Sequence, residues 1–205
     1  MLLLLLLDYL GTIAFAASGA LKGVRKGMDI FGVMVLAIVT AIGGGTIRDA
    51  LLDNRIFWLE DRTYVLLSAV VAIGVFWLYR LVQKTERALL IFDAIGLGVF
   101  TAIGAMRAAE AGADVVGIVT LACLTGVGGG LLRDVLARDI PIVLREEIYA
   151  SASILGAVVF WALLQLGAGQ TAALSVGAGL TILVRVLSIV LHWQLPRRKM
   201  PGAAQ

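Results

Sequence analysis

The chain has 205 residues, 60% of them hydrophobic, with a mean hydropathy of +0.99 and a formal charge of +3. A soluble globular domain is about 45–50% apolar, so this composition leaves no room for a soluble domain and points to the bilayer. A net positive charge raises the possibility of a nucleic-acid partner, but the basic residues sort by membrane side instead, and none is expected.

The apolar residues come in blocks, each near the roughly 20 residues a helix needs to cross about 30 Å of hydrocarbon. In chain order they run Met1 to Leu21, Ile30 to Ile47, Tyr64 to Val82, Ala88 to Met106, Val115 to Leu132, Ile148 to Leu166 and Thr171 to Trp193. Unpaired backbone amides are not tolerated in hydrocarbon, so the blocks predict helices. The expected fold is an all-α polytopic membrane protein with seven transmembrane helices in one transmembrane domain, residues 1–205.

In the first block, six leucines run into Asp8 with no basic segment ahead of them. Ala14 to Ser18 imitates a cleavage site, yet the block reads as a retained span rather than a signal peptide. Ser18 reads as bonding within its own helix, and Lys22 lies near the end of the span. The second block holds Thr40, the triplet Gly43-Gly44-Gly45 and then Arg48-Asp49. Asp93 starts the fourth block and Arg107 lies near its end; there, as with Asp8 and Lys22, the charges read as interfacial caps or as partners of the broken helices. The fifth repeats the second, with Thr125, Gly128-Gly129-Gly130 and Arg133-Asp134, and includes a lone Cys123 that reads as packing. The seventh contains Arg185, which needs a partner and reads as a helix-interface lock or a conduit residue, and ends at an interfacial His192-Trp193.

Self-comparison is more informative than any one motif. Asp8, Gly11, Phe15, Gly19, Ala20, Gly27, Asp29, Gly32, Leu36 and Thr40 each recur 85 positions later, from Asp93 to Thr125. The register continues without a gap through GGGTIRDAL (Gly43 to Leu51) and GGGLLRDVL (Gly128 to Leu136), and Lys22 is matched by Arg107. Repeat one covers about 1–84, repeat two about 86–169, and an extra helix about 171–194. Three spans per repeat is an odd number, so the second copy is expected to enter the membrane from the opposite side, giving an inverted 3+3 repeat plus a seventh helix.

A glycine in a helix costs about 1 kcal/mol relative to alanine, and three in a row let the backbone bend or unwind. Each triplet lies roughly fourteen residues, or about 21 Å, into its span. Freed carbonyls and amides there survive only against protein or a water-filled cavity, where channels and transporters coordinate ions. Close helix packing is the other reading, and two symmetry-related triplets favour a kinked helix lining a conduit. Thr40 and Thr125, one turn before the triplets, are placed either to contact an ion or to pack. In each Arg-Asp pair, neighbours point about 100° apart, so one member is expected to face the conduit while the other pairs with a different helix. Lys22, Arg48, Arg107 and Arg133 are expected to pair with Asp49, Asp134 or exposed carbonyls, contacts whose movement would gate the conduit.

No His cluster, metal-ligand spacing or nucleophile–base pair appears, and the triplets lack the GKS or GKT of a P-loop, so the chain does not read as an enzyme and implies no cofactor. On one face, the loops after spans one, three and five and the tail carry Lys22, Arg25, Lys26; Arg80, Lys84, Arg87; Arg133, Arg138, Arg145; and Arg197, Arg198, Lys199. The opposite face holds Arg48, Arg55, Arg62 and Arg107. The positive-inside rule then places the N-terminus outside and the C-terminus in the cytoplasm.

DYLGTIAFAASGALKG, GGGTIRDALL, DAIGLGVFTAIGAMRA and TGVGGGLLRDVL together resemble the prokaryotic members of the trimeric intracellular cation (TRIC) channel family, over nearly the whole chain. The resemblance implies a homotrimer in the lipid of a bacterial or archaeal inner or plasma membrane, with an hourglass pore in each protomer between the second and fifth spans. That pore would be kinked at Gly43–Gly45 and Gly128–Gly130 and would pass K+ and Na+, with no bound metal beyond these permeating ions. Animal members bind an acidic phosphoinositide, but they differ around the triplet, and that role does not carry over to Arg48-Asp49 and Arg133-Asp134. The same sequence group carries a glycine-transporter name, so a secondary carrier of a small zwitterion such as glycine is the alternative.

Overall fold

The computed structural model describes residues 2–82, 86–146 and 148–193, and the described residues form helices without strands. The helices are α1 (Leu2–Arg25), α2 (Ile30–Leu51), α3 (Phe57–Glu60), α4 (Thr63–Val82), α5 (Glu86–Glu110), α6 (Val115–Leu136), α7 (Ile142–Arg145), α8 (Ala150–Gln165) and α9 (Gln170–Leu191). Each expected apolar block is matched by a long helix. By length and composition five of them, α1, α2, α5, α6 and α9, are able to cross a membrane, while α4 over 63–79 and α8 are apolar but shorter. The short α3 and α7 were not foreseen, and they too lie 85 residues apart. Lys84, Arg197, Arg198, Lys199 and the side chain of Arg80 lie outside the described residues.

The matched glycines and aspartates set the hairpins. Gly27 and Gly112, at φ 70° and 77°, adopt the left-handed conformation that ends α1 and α5. Two residues on, Asp29 accepts the Gly32 N–H at 2.7 Å and Asp114 accepts the Gly117 N–H at 2.8 Å, capping α2 and α6. Each half therefore opens with two helices turned back on each other by four residues.

Two apolar cores form, and α5 contributes to both. Phe15, Val33, Ala37, Ala72, Phe100 and Ile103 form one, drawn from α1, α2, α4 and α5. Met106, Ile118, Ala122, Phe160, Leu174 and Ala178 form the other, drawn from α5, α6, α8 and α9. Between them the helices approach through small residues, as lipid-embedded helices do when packing rather than hydrophobicity drives association. A Cβ at Gly96 of α5 would lie 2.1 Å from the Phe15 ring of α1, and one at Gly156 of α8 would lie 1.9 Å from the Thr181 hydroxyl of α9. Large apolar side chains such as Leu66, Val70 and Trp77 point outward.

Candidate functional site

The two glycine triplets meet. A Cβ on Gly44 would lie 2.0 Å from the Thr125 carbonyl oxygen, and one on Gly129 would lie 2.2 Å from the Thr40 carbonyl oxygen. The α2–α6 crossing is thus a reciprocal backbone-to-backbone contact that admits no side chain. All six glycines, Gly43 to Gly45 and Gly128 to Gly130, are buried, and α2 and α6 run through them as unbroken helices. The expected unwinding, with main chain left open, is not present: a carbonyl seated on a glycine of the opposite helix takes up the space that unwinding would need. Thr40 and Thr125 are also fully buried, and their hydroxyls donate to Leu36 O and Leu121 O, both at 2.6 Å, within their own helices.

The charged pairs flank this crossing, and their members bond each other directly, contrary to the expectation that they point to different partners. Arg48 Nε donates to Asp49 Oδ1 at 2.7 Å, and Arg133 Nε donates to Asp134 Oδ1 at 2.9 Å. A long arginine side chain bends back over one residue, which the 100° separation of the Cβ vectors alone does not forbid. The other aspartate oxygen has a structural task in each half. Asp49 Oδ2 accepts the Phe57 N–H at 3.0 Å, and Asp134 Oδ2 accepts the Ile142 N–H at 2.9 Å, fixing the starts of α3 and α7.

Beyond that shared scheme the halves diverge. Arg133, fully buried, also donates through Nη1 to Asp93 Oδ1 of α5 and to Ser18 Oγ of α1, both at 2.5 Å. Asp93 is therefore neither a terminal cap nor interfacial; it lies inside α5 with no exposed surface. Ser18 is not merely bonded within its helix, because it accepts from an arginine 115 residues away. Arg48 makes no such reach: its guanidinium lies 5.6 Å from the Phe57 ring centroid, in cation–π range, and stays on Asp49. Asp8, the repeat mate of Asp93, is partly exposed inside α1 and accepts from the Tyr64 hydroxyl at 2.8 Å.

Lys22 and Arg107 separate in the same way. Lys22 sits 3.3 Å from Asp134 and 2.6 Å from Asp139, which Lys26 also holds at 2.6 Å. The two lysines hold the Asp139 carboxyl down at about 2. Position 54, the mate of 139, is Asn, and Arg107 bonds instead to Glu110 at 3.2 Å on an exposed surface, away from Asp49. Arg185 of α9 pairs with Glu146, donates to the Ile148 carbonyl at 3.2 Å, and lies 5.0 Å from the Tyr149 ring centroid. It locks α9 to the second half. In the first half the mate of Glu146 is Asp61, which accepts from the Tyr9 hydroxyl at 3.2 Å, and two hydrogen bonds from Thr63 hold its carboxyl below the usual range.

Tyr64, Tyr149, Phe57, Asp61, Glu146 and Asp139 were not singled out from the sequence, although Tyr64/Tyr149 and Asp61/Glu146 fall on the same 85-residue offset. Cys123 is partly buried and free, and His192 is an exposed helix-ending residue at φ 52°. Among the described residues no group of His, Cys, Asp and Glu side chains is arranged to hold a metal ion.

Comparison with known proteins agrees with this architecture. A family model described as a glycine transporter matches twice, at residues 5–80 and 90–165, stretches offset by the same 85 positions. An inner membrane protein of Escherichia coli K12, UPF0126 inner membrane protein YadS, is 42% identical over 93% of each chain. A TRIC trimeric intracellular cation channel orthologue from Rhodobacter sphaeroides is 40% identical and overlays with a TM-score of 0.90, over 94% of this chain and all of the other. A second solved chain, from work on conductance through TRIC cation channels, is 37% identical with a TM-score of 0.89, over 97% of this chain and 98% of the other.

Proposed function

This chain belongs to the family of the prokaryotic TRIC channels, and from that membership we propose that it is a passive channel for monovalent cations, chiefly K+ and Na+. The observation that carries the reading is the near-complete overlay on chains described as TRIC cation channels. The protein is read as a multi-pass inner-membrane homotrimer with one conduit per protomer, the second repeat inverted against the first, the N-terminus outside and the C-terminus cytoplasmic.

The conduit lies between the repeats, lined by α2 and α6, and the glycine contact is its closed waist. Opening requires α2 and α6 to bend at the triplets or to part there. The Thr40 and Thr125 carbonyls, now seated on Gly129 and Gly44, would then turn a free lone pair toward the passage, as carbonyls do in cation filters. Lys22, Arg48, Asp49, Arg133 and Asp134 flank the waist, and Arg107 lies further out. Breaking and remaking the contacts of the inner set would accompany gating.

The family description favours a second reading, carriage of a small zwitterion such as glycine between the same helices. Purified protein in a planar bilayer separates the two. A channel gives discrete unitary currents, whereas a carrier gives none and shows saturable counterflow of labelled glycine in liposomes.

A further inference from the structure

The repeat invites a like-for-like comparison of its matched aspartates Asp8 and Asp93, and they are electrically unequal. Asp93 has no exposed surface, and its carboxylate is matched by the Arg133 guanidinium at 2.5 Å. Asp8 is partly exposed, bonds to a neutral tyrosine hydroxyl at 2.8 Å, and takes part in no ion pair among the described residues. A carboxylate matched by a guanidinium acts weakly on a passing ion, while one that is partly exposed and bonded only to a neutral hydroxyl keeps more of its field.

Two substitutions between the repeats account for the difference. Arg133 is drawn toward Asp93 partly by Ser18, which accepts from the same nitrogen. The repeat mate of Ser18 is Ile103, a buried residue with no acceptor for Arg48. On the other side, Phe57 covers Arg48, and its ring meets Tyr64 edge-on at 4.7 Å between centroids. The second half has Ile142 at that position. Phe57 therefore keeps Arg48 on Asp49 and supports the tyrosine that holds Asp8.

We propose that Asp8 is the charge-selecting residue of the conduit and that Asp93, cancelled by Arg133, is not. The selection is thus one-sided, located in the first repeat despite the two-fold arrangement of the backbone. This inference rests on the cation-channel reading and assigns its selectivity to one side chain.

The test is the reversal potential and unitary conductance of purified protein in a KCl gradient across a planar bilayer. Asp8→Asn should lower the potassium-to-chloride permeability ratio about 25-fold, because one unit charge at about 4 Å in a water-like dielectric favours the cation about five-fold and disfavours the anion by about the same factor. Asp8→Glu should keep the ratio, and so should Tyr64→Phe, which removes the hydrogen bond but leaves the charge. Phe57→Ile combined with Ile103→Ser rebuilds the second-half surroundings around Arg48 and should lower the ratio as Asp8→Asn does; it reads the same charge if Asp8→Asn fails to fold. An unchanged ratio in Asp8→Asn or in the double variant overturns the proposal. So does an equal loss in Tyr64→Phe, which would make Asp8 only a structural partner of the tyrosine. A wild-type protein without unitary currents sinks the channel reading itself, a different outcome from a selective wild type that tolerates Asp8→Asn.

Discussion

Arg133 and Ser18 lie 115 residues apart in the chain and 2.5 Å apart in space, joining α6 of the second repeat to α1 of the first. The bond is buried and charge-assisted, and it shares a guanidinium nitrogen with Asp93. Removing one partner of a buried ion pair leaves the other charge uncompensated and costs about 3–5 kcal/mol. Arg133→Ala should therefore lower the thermal midpoint in detergent sharply, and Ser18→Ala should do so by a smaller amount, about 1–3 kcal/mol. Equal melting of Arg133→Ala and wild type would remove the structural role assigned to this arginine.

The glycine triplets give a positional contrast within three residues. A Cβ on Gly44 meets a backbone carbonyl at 2.0 Å, which can yield only if a helix moves. A Cβ on Gly43 meets the Leu132 side-chain tip at 2.6 Å, which a rotamer change relieves. Gly44→Ala should cost about 1–3 kcal/mol by overpacking, and Gly43→Ala should be close to neutral. Chemical-denaturation midpoints of the two variants check this, and the reverse order would contradict the close crossing.

The pH dependence follows from Asp139, whose carboxyl Lys22 and Lys26 hold at about 2, below the roughly 3.9 of an unfolded aspartate. A lowered folded value adds stability above the unfolded value, and that stability is lost as the pH falls through the folded one. Asp139→Asn should therefore lower the melting temperature at about pH 5, by an amount that shrinks as the pH falls toward about 2 and vanishes below it. A difference that persists unchanged at acid pH would show that the aspartate acts other than as a charge.

Arg185 provides a further check on the role of α9. Its contacts to Glu146, the Ile148 carbonyl and the Tyr149 ring tie α9 to the second half, beside the bonds from Thr181 to the Ala152 carbonyl and from Gln170 to Glu110. Arg185→Ala should increase amide hydrogen exchange in α8 and α9 before it does so in α1 and α2. Uniform exchange across the helices would mean that Arg185 adds nothing to the hold on α9.

Much of this architecture is readable in the residues. The 85-residue offset, the long helices and the Gly27–Asp29 and Gly112–Asp114 hairpins follow from local chemistry. The four-residue helices α3 and α7 escape, because they lack both length and a side-chain cap of their own and depend on Asp49 and Asp134. The triplets were read toward unwinding because glycine permits a bend and a close approach equally well. Their equal positions in two matched halves are compatible with either, and the contact depends on how α2 and α6 cross. Ser18 was passed over because its mate is Ile103, although such a mismatch is itself a signal: a polar residue unique to one half marks where the repeat stops being symmetric. No periodicity shows the contact to Arg133, which depends on how α6 and α1 are brought together.

The most direct test of the account is single-channel recording of the purified wild-type protein with unequal KCl on the two sides. A cation channel gives stepwise currents that reverse close to the potassium equilibrium potential. Currents that reverse at the chloride potential, or a silent bilayer from protein that exchanges glycine in liposomes, would contradict it.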